Sequence, residues 1–167
     1  GRIDVFDETP PPRSGAEAFE AVFAFDWRGY IEKKGFSVTA NLVTRRAVFQ
    51  ATGPFLHGVS EDLDWCRRAT AKGFRLRPAP DLRVGHPSRQ DWPALRKKWI
   101  RMTREGFELE PSRTRWALKA LAMPVSALVH LPKVLASPQL SGAVERLRGA
   151  ATLIRLRLLR MVWMLWQ

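Results

Sequence analysis

An α/β layer followed by an all-α amphipathic region is the fold class this sequence predicts. Three observations predict it. Strand-like and helix-like patterns alternate through residues 1–90. Long amphipathic helical patterns fill residues 91–167. The charge divides at nearly the same place: residues 1–88 carry 13 Lys/Arg against 11 Asp/Glu, whereas residues 89–167 carry 15 against 5 and hold five of the seven Trp. Two domains with different surroundings follow, 1–90 and 91–167.

Taking the elements in order, Ile3, Val5 and Phe6 of "GRIDVF" predict a strand. "ETPPPRSG" is a loop, because three consecutive prolines offer no amide donors to helix or sheet. Phe19, Val22, Phe23 and Trp27 recur at helical spacing and predict one helix through "AEAFEAVFAFDWRGYI". "FSVTANLVTRR" alternates as a strand does, and "RAVFQATGPF" predicts a short helix stopped at Gly53-Pro54. Ser60 is a good N-cap for a helix ending near Gly73. "FRL" and "LRV" then read as strands flanking the turn at Pro78–Asp81, with Gly85-His86-Pro87 ending the second. Strands alternating with helices make a mixed sheet with flanking helices.

Composition excludes several classes. Cys66 is the single cysteine, so no internal disulfide forms, and His57, His86 and His130 lie far apart without cysteine partners for a zinc site. The chain opens Gly1-Arg2-Ile3, with no initiator Met and no basic-then-apolar leader, and reads as a fragment or a processed product.

Glu61, Asp62 and Asp64 crowd one helix start in a chain of net charge +12. The physical reading of residue type alone is stabilisation of the helix dipole, ~0.3–1 kcal/mol each, with pairing to Arg67 and Arg68 one turn on.

The order of the pieces says more than any one of them. "GFSVTANLVTRRAVFQATGPF" followed by "SEDLDWCRRATAKGFRLRPAPDLRVGHPSR" resembles the second half of the catalytic domain of family 2 glycosyltransferases, which have the GT-A fold. Arg45-Arg46, Gly53/Phe55, Glu61-Asp62, Arg68, Gly73-Phe74, Pro80 and His86 occur in the family's order, and the resemblance is close over residues 1–105. It implies the acceptor-side half of a GT-A fold and inverting transfer of a sugar from a nucleotide-sugar donor to a glycan or lipid-linked acceptor. It makes Asp62 the base that deprotonates the acceptor hydroxyl, with Glu61 beside it. A divalent cation, Mg or Mn, would balance the leaving diphosphate, and His86 is the candidate metal ligand; a His capping a turn before Pro87 is the plain alternative. Asn41, Asp64, Trp65, Arg68 and Arg89 are candidate donor or acceptor contacts. For Asp64 the alternative is pairing with Arg68, for Trp65 core packing, for Asn41 satisfaction of backbone groups, and for Arg89 simple exposure. The family binds donor and metal through an upstream half ending in an Asp-x-Asp-type motif. "DVFDE" at 4–8 has the wrong spacing for it, so the main metal-binding acids are expected in that half, and these residues alone are expected to be inactive.

The second half reads as membrane-interfacial. Trp92, Leu95, Trp99 and Met102 share one face of a first helix, and Val144, Leu147, Ala151, Ile154, Leu158, Met161, Val162 and Leu165 form one long stripe with Arg146, Arg157 and Arg160 opposite. Residues 116–136 are apolar but interrupted by Lys119, Pro124, His130 and Pro132, hence interfacial or re-entrant; a bundle packed on the first half is the alternative. No nucleic-acid module is visible and the Trp residues fall on apolar faces, so the expected partner is an anionic membrane at its cytoplasmic face. A non-catalytic peripheral membrane protein retaining the half-fold is the competing reading.

Overall fold

The computed structural model describes residues 1–167 as two compact units, one of residues 1–4 and 25–86, the other of residues 5–24 and 87–167. Only two strands form, β1 (Arg2–Phe6) and β2 (Arg83–Pro87), and they run parallel. Within the first unit the Arg2 amide donates to the Leu82 carbonyl at 2.7 Å; within the second the Ser88 amide donates to Phe6 at 2.9 Å. Residues 5–24 therefore pack with the C-terminal helices, which the predicted boundary at residue 90 did not anticipate.

In the first unit, the helix expected through 16–31 is interrupted. The chain between Ala24 and Asp26 is non-helical, Phe25 takes a left-handed φ of 53°, and α2 (Trp27–Lys34) starts afresh with Asp26 accepting the Gly29 amide. The strand expected through "FSVTANLVTRR" does not form. A single 3-10 turn, Thr39–Asn41, replaces it, because Asn41 turns inward and donates to the carbonyls of Arg2 and Leu82. "FRL" is likewise unpaired. The two helices α3 (Arg46–Thr52) and α4 (Glu61–Ala71) appear where periodicity placed them, and Gly73 has the expected positive φ just past α4. Trp65, Cys66 and Ala69 of α4 form the buried centre, with Phe36, Leu42, Val48, Phe55, Phe74 and Leu76 packed around them.

The second unit is helical: α1 (Gly15–Phe23), α5 (Trp92–Glu108), α6 (Arg113–Leu121), α7 (Met123–Leu135) and α8 (Gly142–Leu165). Ser14 and Glu17 close a capping box on α1. Pro124 begins α7, where its missing N–H costs nothing, and Pro132 is accommodated inside the helix. The core joins Phe19, Leu95, Val134, Leu153 and Leu156. A methyl group on Gly149 would lie 3.2 Å from Val134 Cγ1 and 3.3 Å from Ala18 Cβ, so glycine is what lets α8 approach α1 and α7 this closely. Buried Glu20 accepts from Lys98 Nζ at 2.5 Å and from the Arg89 amide at 2.8 Å, and buried Glu145 accepts from Arg13 and from the Ser141 amide.

The long apolar stripe of α8 is real, but it faces outward. Val144, Leu147, Ile154, Leu158, Val162 and Leu165 are exposed, while Arg146, Arg157 and Arg160 lie on the inward face with Leu153, Leu156 and Met164. Leu118 and Leu121 of α6 and Val125, Leu128, Val129 and Leu135 of α7 are exposed as well. No single helix is long and apolar enough to cross a membrane; α6 and α7 together reach that composition only as a pair bent by 49°.

Candidate functional site

The acids at the head of α4 separate by helical geometry. Residues 62, 65, 66 and 69 share one face, so Asp62 stands at the helix start on the same side as buried Trp65, Cys66 and Ala69. Asp64 lies two residues on and points away from that side. Its Oδ2 accepts from Arg68 Nε at 2.8 Å and from Nη2 at 2.8 Å. The same guanidinium donates to the carbonyls of Thr52 and Pro54, each at 2.8 Å. Asp64 and Arg68, both candidate ligand contacts by sequence, are thus engaged as a clamp that ties α4 to the end of α3.

Asp62 is not engaged in this way. Its Oδ1 accepts the Leu63 amide at 2.7 Å and a long contact from the Ser60 hydroxyl at 3.4 Å. Its Oδ2 takes no hydrogen bond from another residue, and no Lys or Arg pairs with the carboxylate. Half-burial, with Glu61 adding like charge, raises its carboxyl above the ordinary aspartate value despite the Leu63 amide. Ser60, the expected N-cap, makes no side-chain bond to the backbone, because its hydroxyl is turned to Asp62.

A neighbour that sequence reasoning missed is Tyr30, the one tyrosine of the chain. Burial raises its phenol, with the charge of Asp26 and, to a smaller degree, that of Asp62 adding to the shift. Its ring stacks on Phe36 with centroids 5.0 Å apart. No signal pointed to it, since it lies thirty-two positions upstream of Asp62 on a different helix. The Cys66 thiol is likewise pushed up by burial and by Asp62, and it contacts the backbone of Ser37.

Other candidates are placed differently from expectation. Trp65 is 2% exposed and its indole donates to the Gly53 carbonyl at 2.9 Å, so it is a core residue and offers no face to a sugar. Asn41 is buried; besides its two donated bonds, its carbonyl oxygen accepts from the Gly1 amine. It lines a cavity of about 120 Å³ shared with Ile31, Trp65, Phe74, Leu76 and Leu82, which opens one to two turns along α4 and does not include Asp62. Arg89, in the second unit, holds Glu20 through its amide and reaches the Pro87 carbonyl at 3.4 Å. His86 lies against the Phe25 ring, centroids 4.6 Å apart. No three His, Cys, Asp or Glu side chains of these residues converge to hold a cation by themselves; the main metal-binding acids are expected in the upstream half, and a metal role for His86 stays an expectation.

Comparison with known proteins gives a consistent result. The model of the family "Glycosyl transferase family group 2" matches residues 15–166. Glycosyltransferase AglE of Haloferax volcanii is 32% identical over 92 residues, which cover 54% of this chain and 30% of that protein. The chain thus spans less than a third of the length of that curated relative. No solved structure matches.

Proposed function

Because the chain belongs to the glycosyl transferase group 2 family, we propose that it forms the acceptor side of an inverting sugar-transfer site, with Asp62 as the general base, carried on helices that rest in a membrane surface. Membership implies, in general, a nucleotide-sugar donor and a glycan acceptor. A mostly helical chain with one small parallel pair of strands is compatible with part of an α/β glycosyltransferase domain.

The observation that carries the reading is the difference between two carboxylates two residues apart on opposite sides of α4. Asp64 is neutralised by Arg68, whereas Asp62 keeps one oxygen without a partner and has its proton affinity raised by burial. A base is useful when its proton affinity is raised toward the working pH and a lone pair is reachable. In the transfer, an acceptor hydroxyl gives its proton to Asp62 Oδ2 as its oxygen bonds to the anomeric carbon. The bond from that carbon to the diphosphate breaks on the opposite face, and the nucleoside diphosphate leaves with the electron pair. Glu61, adjacent, adds like charge that raises the proton affinity of Asp62 further. A lipid-linked acceptor fits the second unit, because a helix whose apolar stripe faces out and whose arginines face in has the polarity of a protein lying against lipid rather than water.

In a transfer assay on the protein joined to its upstream donor-binding half, Asp62→Asn loses ~10²–10⁴-fold in turnover and retains nucleotide binding. Unchanged turnover in that variant removes Asp62 from the mechanism.

A further inference from the structure

The inward face of α8 presents a second imbalance, of opposite sign to that at Asp62. Arg157 Nε and Arg160 Nε are buried and make no hydrogen bond, and so is the indole nitrogen of Trp99 on α5. The three groups are neighbours. Arg160 Cζ lies 4.8 Å from the Trp99 ring centroid, Arg157 sits one turn before Arg160, and its Nη1 meets only Met123 Sδ at 3.9 Å. Burial lowers Arg160 to about 10, with the charge of Arg157 adding to it, and lowers Arg157 as well; a guanidinium stays protonated in proteins.

No acid of the unit answers them. Asp7 and Glu145 are taken by Arg13, Glu20 by Lys98, Glu105 by Arg101, and Glu110 by Lys119 and Arg115, while Glu8, Glu17, Asp91 and Glu108 form no ion pair with Arg157 or Arg160. Stacking on Trp does not explain the arrangement either. Arg155 over Trp92 and Arg96 over Trp163 make the same kind of contact from exposed positions, whereas Arg157 and Arg160, like Arg146 farther up the helix, are partly buried with an unpartnered Nε. Two like charges and three unmatched donors, with no acceptor among them, form half of an interaction whose other half is an anion.

We propose that Arg157, Arg160 and the Trp99 indole form a binding site for a phosphate group. A phosphate offers several acceptor oxygens and up to two negative charges, which match two guanidinium forks and one N–H better than a carboxylate does. That the phosphate belongs to a lipid headgroup rests on the membrane reading above alone, since the site lies on the face of α8 opposite Leu147, Ile154 and Leu158.

The test has two arms on the full chain. In thermal unfolding, inorganic phosphate raises the Tm of the wild type by ~2–4 °C over chloride of equal ionic strength. Arg157→Met/Arg160→Met loses that rise, and in chloride it melts no lower than the wild type, since two uncompensated charges are gone. In flotation, the wild type prefers phosphatidylcholine vesicles containing phosphatidic acid over vesicles given the same surface charge by oleate, about tenfold. The double Met variant loses the preference, and Arg157→Lys/Arg160→Lys loses it too while keeping the charge, so a folding defect in one variant does not decide the result. Lys97→Gln/Arg104→Gln, at exposed positions, weakens binding to both vesicles equally. A response to inorganic phosphate with no vesicle binding upholds the site and overturns the membrane reading. A preference for phosphatidic acid alone upholds a headgroup site. No phosphate effect in either arm, or an undiminished effect in both double variants, overturns the proposal.

Discussion

Replacing Leu147, Ile154 and Leu158 of α8 together by Gln tests the membrane reading most directly. The three side chains are 65%, 39% and 44% exposed, so about half of each remains to be buried by whatever covers the helix. Full burial of a Leu or Ile side chain stabilises by ~1.5–3 kcal/mol. Half of that over three positions is about 3 kcal/mol, or roughly a hundredfold in partition at ~1.4 kcal/mol per tenfold. Gln has a helix propensity close to that of Leu, and no core neighbour of these positions is lost, so α8 should persist. The assay is flotation with zwitterionic vesicles, which removes general attraction between a chain of net charge +12 and anionic lipid. Circular dichroism and the Tm of the variant are expected to match the wild type. If the variant partitions as the wild type does, the exposed stripe does not meet lipid and the orientation assigned to α8 is wrong.

Two further outcomes follow from unit one. Burial holds the Asp62 carboxyl above its ordinary value, so the folded chain retains a proton there that the unfolded chain releases. The stabilising contribution of this group is therefore full at acid pH and is lost as pH rises from the ordinary aspartate range through the folded value. Asp62→Asn should melt with the wild type at low pH and above it at neutral pH; a Tm difference independent of pH would refute the shift. Trp65→Phe orphans the Gly53 carbonyl and leaves a void where the larger indole packed, and urea unfolding should show a loss of at least ~1–2 kcal/mol; no loss would mean that the core closes on the smaller ring and water replaces the indole.

How legible all this was in the sequence depended on the range of the signal. The helix over 61–71 was readable from Ser60, three acids and Gly73, and the split between Asp62 and Asp64 follows from the 3.6-residue period alone. The short strands were harder. "FSVTANLVTRR" alternates as well as any strand, yet Asn41 satisfies two carbonyls from distant segments and turns the chain into a 3-10 helix. No local pattern reports a partner forty residues away. The break at Phe25 was hidden for a similar reason, because apolar spacing runs on through it while a left-handed backbone conformation leaves no trace in the residue type. The electrostatic link between Tyr30 and Asp62 was invisible, since it joins residues thirty-two positions apart on different helices.

The sequence located the stripe of α8 but not its direction, and the direction bears on function. Periodicity shows that apolar and basic residues occupy opposite faces; it cannot say which face the rest of the chain covers. Water as the only surroundings would favour Leu147, Ile154 and Leu158 inside and Arg157 and Arg160 outside, because buried guanidinium groups without acids are costly and exposed leucines gain nothing. The opposite arrangement is found, with Gly149 shaped to bring that basic face close to α1 and α7. Lipid outside and an anion inside remove both costs at once. Either alone leaves one face of α8 unexplained, and this is why the vesicle and phosphate measurements are designed to be read against each other.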